Sequence, residues 1–212
     1  MRGWLMFAGF GLPVRTHMVG LYTGTMAEDL ASLAPARLVP ALRLPDGTVI
    51  GESLAIAETL AECHPGTGLW PEDPALRATA RWLCAEMTSG FGALRRDCPM
   101  QLRHRYRGFA VTEAVRADLE RVQTLWSHAR ELSGGKTPWL FGSYSLADVF
   151  YTPVAARIVG YGLPVTPEEA AYCAALLDRR EVREWRKDAL GVAYDPMPYA
   201  LDLPSDPWPG DG

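Results

Sequence analysis

Two adjacent pairs, Val39-Pro40 and Glu52-Ser53, carry the clearest chemistry in this sequence. A proline at the head of a strand has no N–H to give to a ladder and is tolerated there, and a cis bond before it turns the chain sharply. Val39 then keeps its backbone N–H and C=O for an extended ligand. Glu52 and Ser53 open a helix, and the free N–H groups and positive dipole end of a helix start favour a bound carboxylate. Glu52 can hold an ammonium group while Ser53 donates to that carboxylate. Together they suit a ligand with an α-amino-acid head and a peptide-like middle. Read without a ligand, Ser53 is a helix cap. A cap alone leaves the order V-P, hairpin, E-S, A-I within eighteen positions unexplained.

The elements that must position these pairs can be read from periodicity and turn residues. Residues 2–10 read as a short helix that stops at Gly11-Leu12-Pro13. Residues 14–22 mix β-branched and aromatic side chains and read as a strand. Thr25 to Leu33 reads as a short helical piece closed by Pro35. Strands at Ala41 to Leu44 and Thr48 to Ile50 flank Pro45-Asp46-Gly47, which supplies a preset φ and then a left-handed position for a tight turn. Apolar residues at Leu54, Ile56, Ala57, Leu60 and Ala61 give helical spacing from Glu52 to Cys63.

Past the Gly- and Pro-rich stretch from His64 to Pro74 the character changes, and 75–97, 111–133, 146–160, 167–178 and 181–189 all read as helices. Ser145-Leu146-Ala147-Asp148 is a capping-box variant, with Asp148 reaching back to the Ser145 N–H. The tail from Val192 to Gly212 holds five prolines and is expected to wrap the surface or stay partly disordered.

The V-P-x-L…I-x-E-S-x-A-I pattern and the S-x-A-D box after Trp139-Leu140-Phe141-Gly142 resemble those of the cytosolic glutathione transferases, over about residues 2–190. The resemblance implies an α/β thioredoxin-like N-terminal domain, incomplete at its start, followed by an all-α helical-bundle domain. The expected limits are 1–66 for the first domain, 67–74 for a linker, 75–191 for the helical domain and 192–212 for a Pro-rich tail. It implies glutathione as co-substrate, transferred to, or used to isomerise or reduce, a small hydrophobic electrophile in a cytoplasmic homodimer of the detoxification type. The alternative is a non-catalytic glutathione-binding or protein-interaction scaffold.

Residue by residue, the resemblance implies that Val39 pairs with the cysteinyl part, Pro40 is cis, and Glu52 and Ser53 hold the γ-glutamyl head. Arg37 is the candidate for the glycyl carboxylate. Met87 and Phe91, four apart on one expected helix, are candidates for the electrophile's cleft, with plain core packing as the alternative. The family begins with a strand and a loop bearing a catalytic Ser, Tyr or Cys, whereas this sequence opens at the following helix. Three readings stand: a start upstream of Met1, a gap filled by the tail or a second copy, or a degenerate relative. Unpaired polar groups at a sheet centre favour the first. Arg2 and the helix dipole remain as weak candidates to stabilise a thiolate, against the plainer reading of Arg2 as a frayed, solvated end.

Composition closes off other classes. With 25 acidic and 21 basic residues and a net charge of -4, non-specific binding to nucleic acid or anionic membranes is disfavoured. No apolar run is long enough to span a membrane. The start imitates a signal peptide, but Gly9, Gly11, Pro13 and the lack of an A-x-A site argue against one. Cys63, Cys84, Cys98 and Cys173 match no zinc or redox spacing, and the four histidines form no ligand pair, so no metal is expected. Cys98 beside Arg95 and Arg96 reads as a buried, inert thiol before a nucleophile.

Overall fold

A computed structural model describes residues 1–21, 23–192 and 200–210. The first helix, α1 (Arg2–Ala8), buries Leu5, Met6 and Phe7. A short helix, α2 (Met26–Asp29), and a single 3-10 turn over Ala31–Leu33 follow. β1 (Ala41–Arg43) and β2 (Val49–Gly51) pair antiparallel with Leu42 opposite Ile50. Their turn forms as its residues dictate: Gly47 takes φ 93, and Asp46 Oδ1 accepts from Thr48 N at 2.9 Å. α3 (Ser53–Cys63) then lays Ile56, Ala57 and Leu60 on the core.

The helical part opens with α4 (Pro74–Ser89), where Asp73 accepts from the N–H groups of Ala75 and Leu76 at 2.9 Å each and proline fills the first position. α5 (Gly92–Asp97) follows, then α6 (Glu113–Ser133), capped by Thr112 and ended by Gly134 in the left-handed region. α7 (Leu146–Tyr161) is the central helix and is buried almost all round. An all-round apolar helix must be enclosed by others. Here α4 and α8 (Pro167–Leu177) pack along it, and α1 lies across it. α9 (Arg180–Leu190) completes the bundle.

One polar node sits inside this apolar mass. Asp148, fully buried, accepts from Ser145 N at 2.8 Å, Ser145 Oγ at 3.2 Å, Leu140 N at 3.2 Å and Tyr172 Oη at 2.9 Å. The expected reach back to the Ser145 N–H is therefore formed. Burial pushes the carboxyl above its ordinary pKa, and the hydrogen bonds it accepts pull it back. Trp126 stands edge-on to both Tyr151 and Tyr172, at 5.6 and 4.8 Å between ring centroids.

Two expectations are corrected. Residues 14–22 are not a strand: 12–20 have no regular structure, and Tyr22 lies outside the described residues. Val14 and Met18 face solvent there, so the half-buried pleated surface that β-propensity reports is missing. The helix expected over 75–97 is two helices, because Phe91 takes left-handed backbone between them (φ 56, ψ 45). A Cβ on Gly90 would stand 2.8 Å from the Glu86 carbonyl, so only glycine fits that exit.

The tail, where described, is ordered. β4 (Ser205–Pro207) pairs with β3 (His104–Tyr106), and Trp208 is buried against Leu102 and Ala156. It wraps the surface of the helical part and, where described, does not fill the gap beside β1; the expectation for residues 193–199 and 211–212 lies outside the described residues. All four cysteines are free. Among the described residues no helix is long and apolar enough to cross a membrane.

Candidate functional site

The start of α1, the turn into β1 and the start of α3 meet at one place. The Val39–Pro40 bond is cis, and Pro40 lies so close under α1 that a Cβ on Gly3 would stand 2.6 Å from its Cβ. One residue earlier, Arg2 Nη1 donates to Ser53 Oγ at 2.9 Å. Three segments far apart in sequence are thereby fixed against one another.

Arg2 is not a frayed end, which corrects the plainer reading of it. Its guanidinium lies 4.9 Å from the centroid of the Phe150 ring on α7. Burial, and then the charge of Arg95, lower its pKa to about 10. Its Nε is buried with no hydrogen-bond partner among the described residues.

Ser53 is 4% exposed and is the first residue of α3, not its cap. The cap position belongs to Glu52, whose side chain makes no capping bond. The free N–H groups at the start of this 11-residue helix are therefore left without a side-chain cap. Glu52 is exposed and holds φ 62, ψ 128, a conformation that an L-residue adopts at a cost of about 1–3 kcal/mol. Such strain persists where the surrounding structure imposes it and clusters at ligand sites. A serine hydroxyl has one donor and two acceptor positions. With Arg2 on an acceptor position, the Ser53 O–H is still able to donate.

Val39 is 41% exposed, immediately before Pro40, and Arg37 is exposed two residues earlier. Among the described residues Arg37 makes no ion pair. The structure thus brings together Arg2, Val39, Pro40, Glu52 and Ser53, with Arg37 on the adjoining loop. Met87 and Phe91 do not share a helix, which corrects their expected spacing; they are 1% and 5% exposed and pack in the core. Cys98 is fully buried, and burial pushes its thiol up to about 12, away from thiolate chemistry. No cluster able to hold a metal ion occurs among the described residues.

Two residues that the sequence did not bring together, Arg95 and Arg157, are neighbours in the structure. They lie 62 positions apart, yet both line the same cavity.

Residues 1–63 match the family described as glutathione S-transferase, N-terminal domain. A probable maleylacetoacetate isomerase of Caenorhabditis elegans is 31% identical over 150 residues, 70% of this chain and 69% of that protein. The maleylacetoacetate isomerase of Rattus norvegicus is 42% identical over 69 residues, and that match spans 32% of each chain. A glutathione transferase homologue from Burkholderia gl BGR1, solved with bound glutathione, superposes with a TM-score of 0.65 at 26% identity, covering 90% of both chains. The chain belongs to the glutathione S-transferase family, with a thioredoxin-like N-terminal part followed by a helical part that also carries the short β3–β4 pair.

Proposed function

We propose that the chain binds glutathione across the junction of α1, β1 and α3 and uses it on a small hydrophobic electrophile. The observation that carries this is the clamp formed when Arg2 bonds Ser53 while α1 rests on the cis Val39–Pro40 turn. In this reading the backbone of Val39 pairs with the cysteinyl unit. Ser53 and the free N–H groups of α3 hold the γ-glutamyl carboxylate, and Glu52 holds its ammonium. Arg37 takes the glycyl carboxylate. Arg2 is assigned to the γ-glutamyl end, where its buried charge reinforces Ser53, and no longer to the thiolate. The names of the relatives, maleylacetoacetate isomerases, support isomerisation as the reaction class.

Only the thiolate of glutathione is a good nucleophile, so turnover requires the bound thiol to be deprotonated. The assay that tests the reading measures glutathione consumption with a small aryl halide, which loses halide to the thiolate, and cis-to-trans conversion of a conjugated cis-alkene, which returns the glutathione it uses. Turnover above the uncatalysed rate supports the enzyme. Binding without turnover supports the scaffold, and failure to bind glutathione overturns both. The cytoplasmic homodimer expected for this family forms part of the same proposal, and light scattering of the purified chain tests its oligomeric state.

A further inference from the structure

α9 grips α1 at both ends. At the C-terminal end of α1, Arg179 Nη2 donates to the Gly9 carbonyl at 3.3 Å, and its guanidinium lies 3.5 Å from the centroid of the Tyr144 ring. Tyr144 in turn stands 5.5 Å from Phe10 between ring centroids. In the first turn of α1, Trp4 meets Trp185 of α9 at 5.5 Å, with the rings tilted by 42°. Trp4 follows Arg2 and Gly3 directly, so this contact fixes the turn that carries the Arg2–Ser53 bond and the seat on Pro40.

The far side of α9 is held by the tail. Arg186, the neighbour of Trp185, donates from Nε to the Leu102 carbonyl at 2.7 Å and places its guanidinium 5.8 Å from the Trp208 ring centroid. Trp185 and Met1 both pack against the cluster that Leu102, Ala156 and Trp208 form. The tail itself is anchored by β4 on β3, by Arg107 N donating to the Pro204 carbonyl at 2.7 Å, and by the Arg107–Asp206 pair at 3.4 Å.

α9 has little core packing of its own. Of its 11 residues only Val182 is buried. A helix of that length is marginal alone and takes its stability from packing. Its position therefore follows its flanking contacts: Trp4 and Gly9 on one side, Leu102 and Trp208 on the other. Aromatic and cation–π contacts run unbroken from the tail, through α9, to the start of α1.

We propose that Trp185 is a positioning residue for the glutathione site, through which the C-terminal strap and the Arg2–Ser53 clamp stabilise each other. The ligand in this coupling rests on the glutathione reading above; the contacts that link strap, α9 and α1 do not. Coupling between two sites is reciprocal. A strap that favours the clamp must itself be favoured when glutathione fills the site.

The test combines hydrogen exchange and calorimetry on the full chain. Glutathione is expected to slow exchange at His104–Tyr106 about fivefold, the scale of one aromatic contact. Trp185→Leu keeps apolar bulk and loses the ring contact. It is expected to bind glutathione about fivefold more weakly and, when saturated, to show no slowing at His104–Tyr106. Global stabilisation by the ligand would persist in that variant, so the loss isolates the link. Trp185→Phe is expected to restore both. Trp4→Leu added to Trp185→Leu is expected to weaken binding no further, because both act through one contact. Unchanged exchange at the strap in the glutathione-bound parent, or losses that multiply in the double variant, overturns the proposal and leaves the glutathione site standing. If the parent binds no glutathione, the site reading fails and Trp4→Leu alone decides the link. Quickened exchange at His104–Tyr106 then supports it, and unchanged exchange overturns it.

Discussion

Arg2 Nη1 and Ser53 Oγ lie 2.9 Å apart, so a guanidinium from the start of one helix is bonded to the hydroxyl at the start of another, 51 residues away. The bond costs Arg2 its hydration, and its Nε is left without a partner among the described residues. A buried cation with an unfilled donor is expensive for stability and useful for holding a carboxylate. Arg2→Met keeps a flexible apolar side chain beside Phe150 and removes the guanidinium that lies over its ring. It is expected to weaken glutathione binding about tenfold while leaving thermal stability unchanged or raised. Calorimetry paired with thermal unfolding checks both halves, and an unaltered affinity would reduce Arg2 to packing.

The contact between Gly3 and Pro40 makes a separate prediction. A methyl group at Gly3 must displace a proline ring, which has no flexible end to yield. Gly3→Ala is expected to cost about 1–3 kcal/mol and to lower glutathione affinity by shifting Val39. Gly66→Ala, with nothing within 4 Å of the added carbon, serves as the neutral control. Urea unfolding of both variants measures the difference.

The Asp148 node predicts a pH dependence. Burial raises its folded pKa above the ordinary 3.8, so the folded chain holds that proton more readily than the unfolded one. Stability then falls as pH rises from the ordinary value through the raised one. The Tyr172 O–H favours the charged form, and removing it raises the folded pKa further. Tyr172→Phe is therefore expected to lose about 1–3 kcal/mol near neutral pH and less in mild acid. Denaturant titrations of both proteins across that range read the sign directly, and an equal loss at every pH contradicts it.

Much of this was legible in the sequence because it is local. The Pro-Asp-Gly turn and the Ser145 to Asp148 box each declare themselves within five residues, and each is formed. The pairing of Val39-Pro40 with Glu52-Ser53 was also visible, because one hairpin joins them. Three features were not. The strand expected at 14–22 had the right residue types, but strand propensity presumes a partner surface and none is there among the described residues. The role of Arg2 depends on Ser53 and Phe150, which no periodicity connects to it. The β3–β4 pair joins residues about 100 apart through two three-residue segments, one of them ending in Pro207, whose sequence reads as loop.

Trp208 shows how much the tail matters. It is 6% exposed, beneath Leu102 and Ala156, with the Arg186 guanidinium 5.8 Å from its ring centroid. Trp208→Ala is expected to cost about 3 kcal/mol, a typical loss for a buried aromatic. Hydrogen exchange is expected to quicken at His104–Tyr106, which lose their paired strand. Unchanged protection there would mean that the strand pair holds without its anchor.

The most direct measurement is calorimetric titration of glutathione into the full chain and into Glu52→Gly. Glycine accepts the backbone at φ 62 without strain, so this variant is expected to unfold at a higher temperature than the parent. It also lacks the carboxylate proposed to hold the γ-glutamyl ammonium, and is expected to bind glutathione about tenfold or more weakly. Higher stability joined to weaker binding is the predicted result. Undiminished affinity in Glu52→Gly, or no glutathione binding by the full chain, would contradict the assignment of this junction as the glutathione site.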